Sequence, residues 1–179
     1  ESGPLHQIQF LIMNDKVNIV LIGMPGCGKS TLGKALAKRL GRDFYDADDV
    51  IVEQEGKTIP ELFTVSEDCF RDAEVRASRT LAAKQGVIIA CGGGVIKRPE
   101  NMAILKKTGK VFFIDRSPDD IVSDVDVAVR PLLKEGRQKV YRLYEERITL
   151  YREAADYCIV NDKSMEEVLY ALEALIRNI

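Results

Sequence analysis

The residues with the plainest chemistry lie between Gly23 and Thr31, Gly-Met-Pro-Gly-Cys-Gly-Lys-Ser-Thr, a run that satisfies the pattern GxxxxGK[ST]. Glycines let a backbone wrap closely enough to aim N–H groups at phosphate oxygens, and a helix opening behind them adds partial positive charge. In such a loop Gly26, Cys27 and Gly28 form the cradle, and Lys29 reaches the outer phosphates of a nucleotide. Ser30 is placed to ligate magnesium, and Thr31 to contact another phosphate or cap the helix. Cys27 reads as a small loop-filling residue rather than a nucleophile, so phosphoryl transfer is the better-supported chemistry. Asp46-Ala47-Asp48 is the second group. In an extended segment side chains at i and i+2 point the same way, so one carboxylate can serve a cation through water while the other accepts a hydrogen bond from a hydroxyl. Asp49 is expected to point elsewhere. Without the glycine loop upstream, the same acids would read as a turn and helix cap.

These groups need elements to hold them. Short apolar, β-branched runs at Val17 to Ile22, Asp43 to Tyr45, Val87 to Cys91, Lys110 to Ile114 and Tyr157 to Val160 alternate with longer segments of helical spacing. The runs at Val87 to Ala90 and Val111 to Ile114 are apolar on successive residues, as parallel strands covered on both faces are. Both the glycine loop and the two acids then fall at the carboxyl ends of strands, where open parallel sheets place their ligands. Thr58 with Glu61 and Ser164 with Glu167 have capping-box spacing and mark two helix starts, while Pro60 and Pro118 suit early helical turns. Val168, Leu169, Leu172, Leu175 and Ile176 form the apolar stripe of a last helix. Two stretches exceed a minimal crossover: about 49–85, expected to carry a substrate platform, and about 129–139, expected to be a lid.

Length and composition narrow the class further. A chain of 179 residues fits one domain, and 46% hydrophobic with 30% charged residues at a net charge of −2 suits a folded core without a drive toward nucleic acid. The single histidine, His6, precedes the first strand, which excludes a histidine triad or zinc site. Four scattered cysteines, none in a CxxC pair, fit a reduced cytoplasmic setting. No apolar run approaches the ~20 residues of a membrane span. Residues 1–14 read as an extension, with Met13 a candidate natural start, and 15–179 as the single functional domain. A guanine-reading NKxD element is missing; Asn161-Asp162-Lys163-Ser164 scrambles its residue types.

Further motifs occur in a fixed order: Phe44-Tyr45-Asp46-Ala47-Asp48, Phe70-Arg71-Asp72-Ala73-Glu74, Gly92-Gly93-Gly94, Arg130-Pro131-Leu132-Leu133, and Glu146-Arg147 leading to Leu150-Tyr151-Arg152. With the glycine loop they span about 18–157, and in this order they resemble the motifs of shikimate kinases. The resemblance implies a phosphate-loop fold of the nucleoside-monophosphate-kinase type, with a five-stranded parallel sheet of order 2-3-1-4-5 flanked by helices. It implies ATP- and magnesium-dependent transfer of a γ-phosphoryl group to the 3-hydroxyl of shikimate, in the pathway to chorismate and aromatic amino acids, by a monomer. It also assigns roles. Arg71 and Arg147 clamp the shikimate carboxylate, and Gly92, Gly93 and Gly94 let backbone groups approach the acceptor. Asp48 binds the reacting hydroxyl, Asp46 supports magnesium, and Arg130 closes over the phosphates. Glu74, on the same helical side as Arg71, would orient its guanidinium. Taken singly, the arginines read equally well as solvated ion pairs and the glycines as a flexible turn. One position departs from the pattern: Ser123 stands where many relatives have an arginine that stacks on adenine. Another small-metabolite kinase, such as a gluconate or nucleotide kinase, is the alternative enzyme, and a regulatory module without catalysis is the alternative of another class.

Overall fold

The computed structural model describes residues 15–127 and 134–179. The expected lid centre with Arg130, and His6 with the rest of the N-terminal extension, lie outside the described residues. A parallel sheet of five strands forms the centre, in the order β2-β3-β1-β4-β5: β1 (Asn18–Ile22), β2 (Phe44–Asp46), β3 (Ile88–Ala90), β4 (Gly109–Asp115) and β5 (Tyr157–Val160). This is the expected order. Every residue of β1 is buried, because β1 is flanked by β3 and β4 and covered on both faces.

The helices are α1 (Lys29–Leu40), α2 (Ala47–Glu55), α3 (Ile59–Val65), α4 (Glu67–Ala82), α5 (Pro99–Lys106), α6 (Pro118–Val127), α7 (Lys134–Ala154) and α8 (Met165–Arg177), with a 3-10 turn at Val95–Lys97. At both expected capping boxes the N-cap bond forms: Thr58 Oγ1 accepts from Glu61 N at 3.3 Å and Ser164 Oγ from Glu167 N at 3.3 Å. Ser66 caps α4 in the same way, accepting from Cys69 N at 2.9 Å.

The 49–85 stretch folds as α2, α3 and α4 around a small core of its own, Ile51, Leu62, Phe70, Ala73 and Ala77, with Phe63 stacked on Phe70 at 4.4 Å between centroids. That second core fixes α4, the helix that carries Arg71 and Glu74, against α2 and α3. The 134–139 end of the expected lid is already the first turn and a half of α7.

Asn101, fully buried on α5, joins two parts of the site. Its Nδ2 donates to Val95 O at 3.0 Å, just past the glycine run, and its Oδ1 lies 3.1 Å from the Ser78 hydroxyl of α4. Burying a polar group without a partner costs about 1–3 kcal/mol. Asn101→Leu, which strands the Val95 carbonyl, is therefore expected to lower the unfolding free energy by about that much in a urea titration; a loss under about 0.5 kcal/mol, the scale of an ordinary surface change, would show that the carbonyl finds another partner.

Candidate active site

Three strand ends, those of β1, β2 and β3, line the site. After β1 the loop 23–28 turns into α1, whose N-cap, Gly28, has φ +98°, a left-handed conformation that a side chain would strain. The helix has no side-chain cap and no acidic residue in its first turn, so its N–H groups and dipole stay directed at the loop. Lys29, only 8% exposed, folds over the loop: its Nζ donates to Gly23 O at 2.7 Å and to Met24 O at 3.0 Å, with Cys27 Sγ at 3.7 Å.

Asp46 ends β2 and caps α2. Its Oδ1 accepts from Asp48 N at 2.9 Å, and its Oδ2 accepts from the Ser30 hydroxyl at 3.2 Å. The two acids do share one cleft, but not by the expected route. Asp48 lies in the first turn of a helix and not in extended chain, so it is the Asp46 cap, with its helical turn, that brings the carboxylates together. Asp49 is exposed and outside the cleft lining.

That cleft, about 380 Å³, is lined by Pro25, Gly26, Gly28, Lys29, Ser30, Thr31, Asp46, Asp48, Cys91, Gly92 and Gly93. A larger groove of about 1130 Å³ runs between β5 and α8, far from the loop in sequence and lacking all of its chemistry. The glycine loop, the paired acids and two glycines of the glycine run line the smaller one.

Beside it, α4 presents Arg71 and Glu74, 8% and 2% exposed. Arg71 Nη1 donates to Glu74 Oε1 at 3.0 Å, its Nε reaches Glu67 Oε1 at 3.4 Å, and its guanidinium lies 5.0 Å from the centre of the Phe70 ring. The orienting role expected for Glu74 thus has a short contact behind it. Its second oxygen, Oε2, is buried without a hydrogen-bond partner.

The glycine run joins these parts. A Cβ on Gly92 would stand 3.2 Å from Asp48 Oδ1 and 3.3 Å from Glu74 Oε2; one on Gly93 would meet Pro25 Cδ at 2.7 Å; one on Gly94 would strike the Arg71 guanidinium at 2.4 Å. None of the three has a positive φ, so the constraint is one of space: firm at Gly93 against the Pro25 ring, tight at Gly92, and at Gly94 set by the movable end of Arg71.

Electrostatics follow from burial. Desolvation pushes the Asp48 carboxyl up, helped by the Asp46 and Asp49 charges and opposed by Lys29 and Arg71. Desolvation likewise raises Glu74, against the pull of Arg71 and, more weakly, Arg147. Arg147, on α7, is thereby electrically part of the same group although it comes from a distant stretch of chain. Burial raises the Cys27 thiol and pushes Cys91 up to about 12, which leaves both as inert thiols.

Three contacts were not foreseen from the sequence. Asn161 Nδ2 donates to Cys27 O at 2.8 Å and Arg116 Nη1 to Gly26 O at 3.0 Å, so two side chains beyond the ends of β5 and β4 brace the loop. Tyr151 donates to Gly93 O. Asn161 belongs to the run that does not match a guanine-reading element; its type, a two-donor amide after a late strand, was its one signal.

No group of three or more His, Cys, Asp and Glu able to hold a metal occurs among the described residues. The Ser30 hydroxyl and the Asp46 carboxylate do fit magnesium, a hard cation that takes one or two protein oxygens and fills its other positions with phosphate and water.

The Shikimate kinase family model matches residues 25–177. The shikimate kinase of Clostridium beijerinckii is 48% identical over 161 residues, 90% of this chain and 95% of that protein. The shikimate kinase of Burkholderia thailandensis is 38% identical over 147 residues, 80% of each. Among solved structures, the shikimate kinase from Acinetobacter baumannii in complex with shikimate has a TM-score of 0.82 at 31% identity, over 94% of this chain and 98% of that one. A gluconokinase from Sinorhizobium meliloti, at 18% identity and a TM-score of 0.61, shares the fold alone. With its loop, paired acids, buried arginine and glycine run in one cleft and these matches over nearly its whole length, the chain belongs to the shikimate kinase family.

Proposed function

We propose that the chain, a shikimate kinase by family, transfers the γ-phosphoryl group of ATP to the 3-hydroxyl of shikimate, giving ADP and shikimate 3-phosphate. The observation that carries this reading is the glycine run, where the phosphate loop, Asp48 and the Arg71–Glu74 pair all stand against the bare backbone.

In this reading Gly26, Cys27, Gly28 and Thr31 hold the phosphates through the loop backbone and helix start, with Lys29 as the fixed cation and Arg130 as a second from the lid. Ser30 and Asp46 would hold magnesium, which would supply positive charge against the phosphates. Arg71 and Arg147 take the acceptor carboxylate, since a guanidinium fork matches it in two parallel hydrogen bonds. Gly92, Gly93 and Gly94 give the ring close access to backbone. Asp48 accepts the hydrogen bond of the reacting hydroxyl and aims its oxygen at the phosphorus. Transfer through a loose transition state asks mainly for such positioning, with the proton leaving late. Arg130 would add charge where it develops and close the cleft against water, limiting hydrolysis. A reduced, cytoplasmic setting suits the four free cysteines, and a monomer is what the family resemblance implies; among the described residues no helix is long and apolar enough to cross a membrane.

The direct test is ADP release with and without the acceptor. Release that depends on shikimate at micromolar to millimolar concentration is expected; equal release with gluconate or a nucleoside monophosphate would overturn the reading.

The clamp is tested by two substitutions that act on one guanidinium. Arg71→Ala deletes it, and Gly94→Ala pushes it aside. A lost charge-assisted hydrogen bond is worth about 1.5–3 kcal/mol, so a rise of roughly 10- to 100-fold in KM for shikimate is expected for Arg71→Ala. Gly94→Ala should move KM in the same direction, with KM for ATP within about twofold in both. Parallel losses for the two substrates would mean a role in folding instead.

For Asp48 the sign follows from burial. Its ionised form is the one that accepts the hydroxyl, and its raised pKa means that form is lost, as pH falls, earlier than for an exposed aspartate. The acid limb of kcat/KM is expected above the ordinary aspartate range and absent in Asp48→Asn, whose residual turnover should be low and flat in pH. The same shift makes ionised Asp48 a cost to the fold, a cost that builds as pH rises above the ordinary aspartate pKa and is complete once the raised pKa is passed. Asp48→Asn is therefore expected to melt no lower than the parent at neutral pH, and a large drop in Tm would contradict this account.

A further inference from the structure

The acceptor site as read above is built from two separate parts of the chain. Arg71 and Glu74 stand on α4 and the glycines follow β3, whereas Arg147 stands on α7, beyond residues 128–133. Some contact has to hold the second part in register with the first, since an error of an ångström between two arginines would spoil a shared carboxylate.

Tyr151 is placed to supply that contact. It follows Arg147 by one helical turn, so both side chains lie on the same face of α7. The residue is 0% exposed and is the largest of the fully buried side chains. Its ring stacks on Phe113 of β4, with centroids 5.1 Å apart and planes at 20°. Its hydroxyl donates to the carbonyl of Gly93, the middle glycine. Packing alone would be satisfied by phenylalanine; a buried hydroxyl is tolerated only where it is paired, and this one is paired with the acceptor-site backbone.

Gly93 is gripped from the other side by Pro25 of the phosphate loop, close enough that a Cβ would overlap the proline ring. One peptide therefore sits between the loop and α7. Burial pushes the phenol up to about 12, opposed most by Arg147 through its charge and a hydrogen bond to the phenol and less by Arg71, so Tyr151 remains a donor throughout the working range of pH.

We propose that Tyr151 is a positioning residue for the acceptor: its O–H···O=C bond to Gly93 locks α7 to the glycine run and so sets Arg147 in register with Arg71. The inference rests on the reading of Arg71, Arg147 and the glycines as the shikimate site.

The test is a double-mutant cycle of Tyr151→Phe and Arg147→Ala, read by steady-state kinetics for each substrate, calorimetric shikimate binding and thermal melting. Tyr151→Phe keeps the ring stack and removes the hydroxyl. The expected result is a roughly 3- to 10-fold rise in KM and Kd for shikimate, the scale of one hydrogen bond, with KM for ATP within twofold. In the Arg147→Ala background the same change should have little further effect, because the group it positions is gone.

Three results would overturn the proposal. Unchanged shikimate KM and Kd in Tyr151→Phe would do so while Arg147→Ala still weakens shikimate, leaving the site reading intact. Equal rises for ATP and shikimate together with a lower Tm would make Tyr151 merely structural. No effect of Arg147→Ala on shikimate would remove the site reading, and the proposal with it. If Tyr151→Phe melts lower, binding measured well below its melting range still separates these outcomes.

Discussion

The site depends on a strip of backbone with nothing attached. At Gly92, Gly93 and Gly94 the space that a methyl group would fill is taken by Asp48 and Glu74, by Pro25, and by the Arg71 guanidinium in turn. Three separate parts of the chain converge there: the phosphate loop after β1, the acid at the start of α2, and α4 of the 49–85 stretch. The loop and the acids sit close together because parallel strands end on one side of the sheet, α4 reaches them from the 49–85 stretch, and the strand end between them has no side chains to keep them apart. Asn101 and Tyr151 then pin the two sides of that strip, one to α4 through Ser78 and one to α7.

Such convergence loads the site with buried charge. Asp48 and Glu74 are both pushed toward their neutral forms by burial, and Glu74 carries an oxygen with no partner. Removing one partner of a buried pair such as Arg71–Glu74 is costly because the other is left uncompensated. The surrounding protein accepts this because the main core is large and continuous, running through β1, β3 and β4 into α1 and α8, while the acids occupy its edge. The separate small core beneath α4 gives the pair a rigid base without requiring the sheet to bear it.

Much of this was legible in the sequence, for reasons that differ by residue. The glycine loop, the capping boxes at Thr58 and Ser164 and the buried strands are local: their spacing alone fixes what the backbone does. The order of the sheet came through resemblance, since no single motif states which strands are neighbours, and the roles proposed for Arg71, Arg147 and the glycines rest on the same resemblance. Strand limits moved by a residue. Asp46 closes β2 rather than following it, because its side chain turns the chain into α2; the shared cleft was right and the extended geometry behind it was not. Asn161, Arg116 and Tyr151 could not be placed, because each acts on the loop or the glycine run from far along the chain, and only tertiary packing brings them there.

The way Lys29 is held shows how the loop can be both finished and ready. An ammonium has three donors. Two of them are satisfied by Gly23 O and Met24 O, carbonyls of the same loop, at 2.7 and 3.0 Å; the third faces only Cys27 Sγ at 3.7 Å, a weak acceptor. A phosphate oxygen that replaces the sulfur gains a charge-assisted hydrogen bond and gives up little, while the two carbonyls keep the cation where it is. Arg116 and Asn161 hold the adjoining carbonyls of Gly26 and Cys27, so the loop that positions Lys29 does not have to be organised by its ligand. The ordering is carried by the fold in advance, which is the condition under which electrostatic groups contribute most to transfer.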